Sequence, residues 1–240
     1  MTGLDVKVIY RDQWLLAVDK PAGLLVIPTG KGERNTLTQR VNDYLDAQGV
    51  AANAYPGHRI DRETSGVILY AQGKQIQQAL MQLFKERRVV KTYLAIVHGV
   101  LARPSGTIRH PVFNRSTGRR EQAETRYTVL ARARAFTVLR VVPVTGRTNQ
   151  IRIHCKDIGH PIVGESLYAF RKDFALKFRR TALHAWSLSV PHPVTGRQLS
   201  VEAPLAPDMD AFLREHGVRA LVPERPGVTG NARVGGKDPQ

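Results

Sequence analysis

The sequence predicts a mixed α+β fold, in which many short strands form a sheet and a few helices pack against it. Eight short apolar segments predict strands, whereas only four segments show the apolar periodicity of a helix. The two kinds of segment do not alternate regularly, as they would in a sheet built from βαβ units. A length of 240 residues is sufficient for one well-buried domain or at most two small ones.

The N-terminal segment begins with two predicted strands, residues 6–10 and 15–18, which are joined by a polar turn. A Lys-Pro-Ala-Gly turn at 20–23 ends the second strand. A helix is predicted over residues 36–48, because apolar side chains recur there at the spacing of a single helical face. These side chains are Leu37, Val41, Tyr44 and Leu45.

The next segment contains a run that is apolar throughout. This run, GVILYA at residues 66–71, is short, so it suits a fully buried central strand. An amphipathic helix follows, and the basic residues at 85–88 place favourable positive charge at its C-terminal end. A further strand is predicted over residues 89–97.

The C-terminal half is predicted to contain four strands and two helices. Residues 125–131 and 136–142 have the pattern of two paired strands. The other predicted elements are a helix at 149–158, strands at 183–190 and 199–203, and a helix at 208–216. Pro, Gly and polar residues dominate after that helix, so we expect one domain over 1–215 and a flexible tail over 216–240.

The charge of the chain is unusual. The formal net charge is +16 at pH 7 and the pI is about 10.5, which favours a polyanionic partner such as nucleic acid. Residues 109–180 hold sixteen Lys or Arg against five Asp or Glu, so the excess is localised. Basic character alone does not separate RNA from DNA, from an anionic membrane, or from a surface that merely aids solubility.

Other classes of protein are disfavoured by composition. No apolar run approaches the ~20 residues that cross a bilayer, and the first residues lack the pattern of a secretory signal. The single Cys155 allows neither an internal disulfide nor a cysteine-rich metal site. We therefore expect a cytoplasmic protein without membrane association.

Asp61 is the first candidate for chemistry. It precedes a Thr-Ser-Gly turn and the predicted buried strand, so its carboxylate would be held rigidly and yet be accessible. Arg59 and Arg62 flank it, and nearby positive charge favours an ionised carboxylate. Taken alone, an aspartate in a turn with basic neighbours is more often a solvated or capping residue.

The surrounding motifs extend this pattern. Residues 58–66, HRIDRETSG, resemble the H-R-[LI]-D-x-x-T-S-G signature of the RluA-type pseudouridine synthases. Residues 91–95, KTYLA, and 145–154, TGRTNQIRIH, are similar to two further motifs of that family, and the KPAG turn, GHPIVG at 159–164 and LHA at 183–185 follow the same order. The resemblance covers roughly residues 6–205. It implies the family's fold, a mixed and mostly antiparallel sheet flanked by a few helices and loops.

The resemblance also implies roles for individual residues. Asp61 matches the catalytic aspartate, Tyr93 the tyrosine that lies against the target base, and Arg152 the basic residue that pairs with the aspartate. Arg59 matches the arginine thought to enter the RNA stack when the target uridine leaves it. Substrate contacts are further expected from neighbouring positions of the same motifs, namely His58, Arg62, Thr64 and Arg147.

The implied reaction explains these residue types. Conversion of uridine to pseudouridine breaks the N1–C1′ bond, rotates the uracil and joins C5 to C1′. It needs no electron sink, so we expect neither a cofactor nor a metal. The aspartate acts either as a nucleophile at C1′ or as a base that removes a sugar proton, and the sequence leaves both routes open. An adjacent Arg152 would keep it charged in a dry pocket.

Several residues also have a simpler interpretation. Tyr93 could be a core residue of a strand, and Arg147 could be a surface turn residue like Arg197, since PVTGR occurs at both 143–147 and 193–197. The spacing of three histidines fits no metal site, so we interpret them as structural or RNA-contacting. They are His154, His160 and His184.

Three competing functions can be compared with the motifs. A catalytically silent RNA-binding or ribosome-assembly protein of the same fold would not need Asp61, Tyr93 and Arg152 together. A phosphotransferase is disfavoured, because a residue separates His-Arg from the Asp and no G-x-G-x-x-G precedes it. A nuclease is disfavoured, because the sequence lacks the pair of carboxylates that a two-metal site requires.

The expected partner is RNA, as a structured stem-loop of rRNA or tRNA, and no DNA partner is expected. Relatives often carry an N-terminal S4 RNA-binding domain, but here the family motifs start near residue 6, so we expect none. Substrate choice would then rest with the catalytic domain. Without a coiled-coil pattern, we expect a monomer.

Overall fold

A computed structural model describes residues 6–30, 32–114, 117–169 and 174–218. Within these ranges, ten strands form one sheet, two more form a separate hairpin, and four helices pack around them. The predicted mixed and mostly antiparallel α+β fold is therefore confirmed. None of the helices in this part of the chain has the length and apolar character needed to cross a bilayer.

The strands in chain order are β1 (Lys7–Arg11), β2 (Leu15–Lys20), β3 (Ala54–Pro56), β4 (Ser65–Gln72), β5 (Val90–His98), β6 (Ser105–Ile108), β7 (Val112–Asn114), β8 (Arg119–Glu121), β9 (Thr125–Arg132), β10 (Phe136–Pro143), β11 (Leu183–Pro191) and β12 (Gln198–Glu202). The helices are α1 (Leu37–Ala47), α2 (Lys74–Lys85), α3 (Gln150–Asp157) and α4 (Pro207–Glu215).

In the middle of the sheet, a strand from the first third of the chain pairs with a strand from near the end of the domain. Its order is β1-β2-β4-β11-β5-β10-β9-β6, with β3 also paired to β4 and β12 to β11, while β7 and β8 form the hairpin. Every pairing is antiparallel except that of β4 with β11, where Ser65 and Gly66 lie opposite His184 and Ala185. The strand that follows Asp61 is thus fixed by a segment from near the end of the domain.

Strand β4 is buried along its whole length, as its apolar sequence predicts. Successive side chains of a strand point to opposite faces, so β4 contributes to two separate cores. Ile68 and Tyr70 belong to the core that includes α1, whereas Val67 and Leu69 belong to the core that includes α2. Since both faces are covered by helices, β4 forms a rigid base for the loop that precedes it.

The observed helices agree with the predicted ones to within a few residues. Thr36 caps α1 by accepting a hydrogen bond from the Gln39 N–H at 3.3 Å. Strands β3, β6, β7 and β8 were not predicted, because each has only three or four residues and depends on pairing with a neighbouring strand. Beyond α4, Val218 packs against the core. The rest of the predicted tail, 219–240, lies outside the described residues.

Gly66 is expected to be a position at which alanine destabilises the protein strongly. Its φ of +110° is unfavourable for other residues, and a Cβ would overlap the carbonyl oxygen of Ala185 across the parallel pair. Gly66→Ala should lower the free energy of unfolding by about 3 kcal/mol or more, through strain and overpacking together. Urea unfolding measures this loss.

Gly73→Ala is the matched control for backbone strain. Gly73 has a similar φ of +99°, but no atom lies within 4 Å of the position that a Cβ would occupy there. Its substitution should cost only the strain, about 1–3 kcal/mol. Equal losses in the two variants would contradict the close approach of β4 and β11 at Gly66.

Candidate active site

An open cleft of about 600 Å³ lies beside the N-terminal end of β4. It is formed by the loop at 57–64, which we name the aspartate loop, by the connection between α2 and β5, and by the turn at 143–149 with the start of α3. Seven of the eight residues predicted for the site line this cleft: His58, Arg59, Asp61, Thr64, Tyr93, Arg147 and Arg152. The eighth, Arg62, does not.

Lys20 binds the backbone of the aspartate loop from the protein interior. Its side chain is completely buried, and Nζ donates hydrogen bonds to the carbonyl oxygens of Pro21 (2.8 Å), Leu24 (2.6 Å) and Arg62 (3.0 Å). The Gly23 N–H donates to the same Arg62 oxygen at 2.8 Å. Burial, followed by the nearby positive charge of Arg180, lowers the pKa of Lys20 to about 7. The sequence indicated only a turn here, so this contact was missed.

Arg180 binds the next carbonyl group of the same loop. One guanidinium nitrogen donates to the carbonyl oxygens of Glu63 (3.1 Å) and Leu183 (3.2 Å), while the other two bind Asp208 at 2.7 and 2.8 Å. The side chain of Arg180 is 5% exposed. Two buried basic side chains, Lys20 and Arg180, therefore bind the backbone of the two residues that directly follow Asp61.

The structure brings Asp61 and Arg152 together. Arg152 Nη1 lies 3.4 Å from Asp61 Oδ2, which is long for a charged hydrogen bond. Among the described residues this is the one hydrogen bond that the Asp61 carboxylate accepts, and its side chain is 28% exposed. The other carboxylate oxygen therefore faces a site that a ligand can reach.

Glu165 binds Arg152 much more tightly than Asp61 does. The carboxylate of Glu165 accepts two parallel hydrogen bonds from Arg152, both of 2.7 Å, and its side chain is 1% exposed. It also accepts backbone N–H bonds from Ser166 (2.9 Å) and Leu167 (2.7 Å). Burial opposes both charges, but the pairing raises the pKa of Arg152 and lowers that of Glu165. No sequence motif pointed to Glu165.

Two groups complete the surroundings of Arg152. Asn149 Oδ1 accepts from Nη1 at 3.1 Å, and the guanidinium lies 5.4 Å from the centre of the Tyr168 ring. Asn149 in turn donates to the Tyr168 hydroxyl at 2.8 Å. With Glu165 neutralising its charge, Arg152 is fixed in place without its position depending on Asp61.

Tyr93 lies in β5 and is 8% exposed. Burial and then the negative charge of Asp61 raise the pKa of its phenol above the ordinary value, so the hydroxyl stays protonated at neutral pH. Tyr93 combines both interpretations from the sequence, because it belongs to the core and also lines the cleft.

The other predicted contact residues differ in their surroundings. His58 Nε2 accepts from the Leu69 N–H at 3.1 Å, and burial together with the charge of Lys91 lowers the pKa of His58 to about 3. Thr64 is 2% exposed and donates its N–H to the Asp61 carbonyl oxygen. The neutral His58 and the buried Thr64 thus support the loop from its two ends.

The three predicted arginine contacts occupy different environments. Arg59 is exposed at the cleft and has no side-chain partner among the described residues. Arg147 binds Glu121 at 2.7 Å. Arg62 is directed to Glu33 at 3.8 Å, so the structure does not bring its side chain to Asp61.

The histidines interpreted as structural have protein partners. His154 contacts Thr125 Oγ1 and the His110 carbonyl oxygen, both at 2.9 Å, and His160 contacts the His98 carbonyl oxygen at 2.7 Å. In the described part of the chain, no group of three or more His, Cys, Asp or Glu is arranged to hold a metal ion.

Comparison with known proteins identifies the family. A family model described as RNA pseudouridylate synthase matches residues 14–157. The uncharacterized RNA pseudouridine synthase YlyB of Bacillus subtilis is 35% identical, with 89% of this chain and 75% of that protein covered. The dual-specificity RNA pseudouridine synthase RluA of Vibrio cholerae is also 35% identical, with 88% of each chain covered. This chain belongs to the RNA pseudouridine synthase family.

Solved structures agree with this assignment. The human RNA pseudouridylate synthase domain containing 1 has a TM-score of 0.71 and 26% identity, over 88% of this chain and 89% of that one. The human RNA pseudouridylate synthase domain containing 4 has a TM-score of 0.76, over 89% and 93%, and at 22% identity it supports the fold alone. The protein is an RNA pseudouridine synthase, and hence an isomerase.

His184, which lies opposite Ser65 at the start of β4, is expected to make the stability of the protein depend on pH. It is completely buried, its Nδ1 lies 2.9 Å from Ser65 Oγ, and burial lowers its pKa to about 4. An unfolded histidine titrates near pH 6.5, so its contribution is present above that pH and is lost as the pH falls towards 4. At pH 5, His184 alone should lower the free energy of unfolding by about 2 kcal/mol relative to pH 7.5.

The matched variant is His184→Asn, whose amide can still contact Ser65 but cannot take up a proton. Urea unfolding of both proteins at pH 7.5 and pH 5.0 gives the two differences. The variant should lose about 2 kcal/mol less than the wild type between these pH values. An identical loss would show that His184 is not the group that titrates.

Proposed function

We propose that this protein converts specific uridines of a structured RNA into pseudouridines, with Asp61 as the catalytic carboxylate. The observation that carries the proposal is the state of that side chain. It is held by a rigid loop beside Tyr93, its hydrogen bonding within the described residues is limited to the 3.4 Å contact with Arg152, and it otherwise faces the cleft. A carboxylate positioned in this way is available to a substrate.

The reaction is balanced without any redox partner. The N1–C1′ bond breaks, C5 of the rotated uracil bonds to C1′, the C5 proton leaves and N1 gains a proton. Asp61 would act either by attacking C1′ or by removing a proton from the sugar, and its free oxygen suits both routes. The protonated Tyr93 would lie against the base. Arg152, which Glu165 holds in place, would keep the Asp61 carboxylate in position.

The cleft has room for a nucleotide that has left the RNA stack. Its volume of about 600 Å³ falls within the range of ordinary ligand sites. Arg59 is exposed at its edge, so its planar guanidinium could stack in the position that the uridine vacates. This assignment accounts for an arginine that has no partner among the described residues.

The class of RNA that is modified is proposed from the names of two relatives. The Vibrio cholerae relative is named as dual-specificity, and the Nitrosomonas europaea relative, 34% identical over 88% of this chain and 65% of that protein, is named a ribosomal large subunit enzyme. We propose rRNA or tRNA stem-loops as substrates and no DNA. Monomeric state and cytoplasmic location stay predictions from the sequence.

The test is incubation of the protein with unmodified tRNA and rRNA transcripts, followed by carbodiimide mapping of pseudouridine. Wild-type protein should form pseudouridine at one or a few positions, and RNA labelled with tritium at uracil C5 should release it at the same rate. RNA binding without either signal would instead identify a catalytically silent RNA-binding or ribosome-assembly protein, which no observation at present favours.

A further inference from the structure

Six cations line the cleft, and apart from Arg59, which is assigned to the RNA stack above, they form two groups. On one side, Arg147 and Arg152 form short ion pairs with Glu121 and Glu165. The connection between α2 and β5 provides three further cations on the other side, and we name them the α2–β5 wall: Lys85, Arg87 and Lys91. Within the described residues, none of these three side chains has a hydrogen-bond or ion-pair partner.

Lys91 is the innermost cation of the α2–β5 wall. It precedes Tyr93 by two residues in β5, so both side chains point to the same face of the sheet. Its Nζ lies 3.4 Å from the position that a Cβ on Gly146 would occupy, which places it against the turn at 143–149. Burial lowers the pKa of Lys91, and the charge of Lys91, after burial, contributes to the low pKa of His58.

Arg87 has an unfavourable backbone conformation. Its φ is +59°, and the residue follows α2 where the Arg88 N–H binds the Leu83 carbonyl oxygen, a helix end that normally has glycine. Among the described residues, Arg87 and Asn149 are the only non-glycine residues with positive φ, and both line the cleft. An arginine in a conformation that favours glycine, at the edge of the cleft, is a candidate for a role of its side chain.

The helix dipole explains only part of this cluster. Positive charge in the last turn of a helix is favourable, which accounts for Lys85 at the end of α2. The dipole acts within the last turn, so it explains neither Lys91 in the strand nor an arginine in the left-handed position. Arg87 and Lys91 therefore require another reason.

We propose that Arg87 and Lys91 bind backbone phosphates of the RNA strand that carries the target uridine. This inference rests on the proposed function and adds the path of the strand. The base would enter beside Asp61 and Tyr93 while its backbone follows the α2–β5 wall, because the charges of Arg147 and Arg152 are already paired with glutamates. Phosphate contacts of this kind fix the register of the RNA without reading its sequence.

The experiment compares Arg87→Met and Lys91→Met with Arg88→Met. Arg88 is the next residue after Arg87, but it is directed to Glu86 at 3.8 Å and does not line the cleft. Each of the first two variants should weaken RNA binding about tenfold at 0.1 M salt and lower the slope of log K against log salt by about 1. KM should rise with kcat unchanged within about twofold, whereas Arg88→Met should alter neither.

Arg87→Gly separates folding from binding. Glycine relieves the positive φ, so Tm should rise by about 2–4 °C while RNA binding weakens as in Arg87→Met. An active wild type with unchanged salt slopes in the Arg87 and Lys91 variants would overturn the phosphate contacts. An inactive wild type would overturn the proposed function instead, so the two failures can be distinguished.

Discussion

Asp61→Asn is expected to lower kcat for pseudouridine formation by about ten-thousand-fold or more while RNA binding is retained. Asparagine keeps the shape of the side chain and can still accept a hydrogen bond from Arg152. It can neither attack C1′ nor remove a sugar proton. Loss of one negative charge in a cleft lined by cations should leave the affinity for RNA equal or higher, which filter binding measures.

Glu63→Gln is the matched control for this change. Glu63 lies two residues further along the same loop, and only its backbone carbonyl takes part in the contact with Arg180. The substitution removes the same charge from the same turn, so kcat should stay within about twofold of the wild type. An Asp61→Asn enzyme that keeps more than a tenth of its activity would exclude Asp61 as the reacting group.

Glu165→Gln is expected to have the second-largest effect, on catalysis and on folding together. Loss of the carboxylate leaves the guanidinium of Arg152, which is 9% exposed, without its main partner. Breaking a buried ion pair in this way costs about 3–5 kcal/mol of stability. Arg152 is then free to close on Asp61, so kcat should fall about a hundredfold or more with little change in KM.

A purely structural role for Glu165 can be distinguished from a positioning role. Glu165→Asp keeps the charge, so it should recover more of kcat than of Tm. In the double variant Glu165→Gln/Arg152→Met, the losses in kcat should be less than additive, because each single change already removes the same contact. Additive losses, or a loss of stability without any loss of kcat, would contradict the positioning role.

The family motifs made the centre of the site predictable. Asp61, Tyr93 and Arg152 were identified through short local patterns, and the structure places all three at one cleft. Arg62 shows the limit of such patterns: neighbouring residues in a turn point to different sides, and its side chain extends to Glu33 while its carbonyl oxygen meets Lys20.

The supporting contacts were not predictable, because they join segments that are distant in sequence. Glu165 comes thirteen residues after Arg152, and its importance depends on a chain reversal that no local spacing reveals. The only signal was an acidic residue in a strongly basic stretch, directly after the GHPIVG motif. Buried Lys20 could likewise be interpreted only as part of a turn.

The fold shows the same division. Long segments such as β4 and α2 were predicted from their own apolar pattern. The hairpin of β7 and β8 has only three residues in each strand and exists through mutual pairing. Propensity over three residues is too weak a signal to predict such strands.

The two buried side chains that bind the aspartate loop, Lys20 and Arg180, have a consequence for the order in which the site forms during synthesis. Lys20 precedes the loop in sequence, whereas Arg180 comes long after it. The strand β4, which follows the loop, pairs with a strand that begins only at Leu183. On the ribosome, Asp61 emerges well before those later residues do, since chains appear from their N-terminus. A nascent chain therefore carries Asp61 before Arg180 and the strand that begins at Leu183 are available to hold its loop.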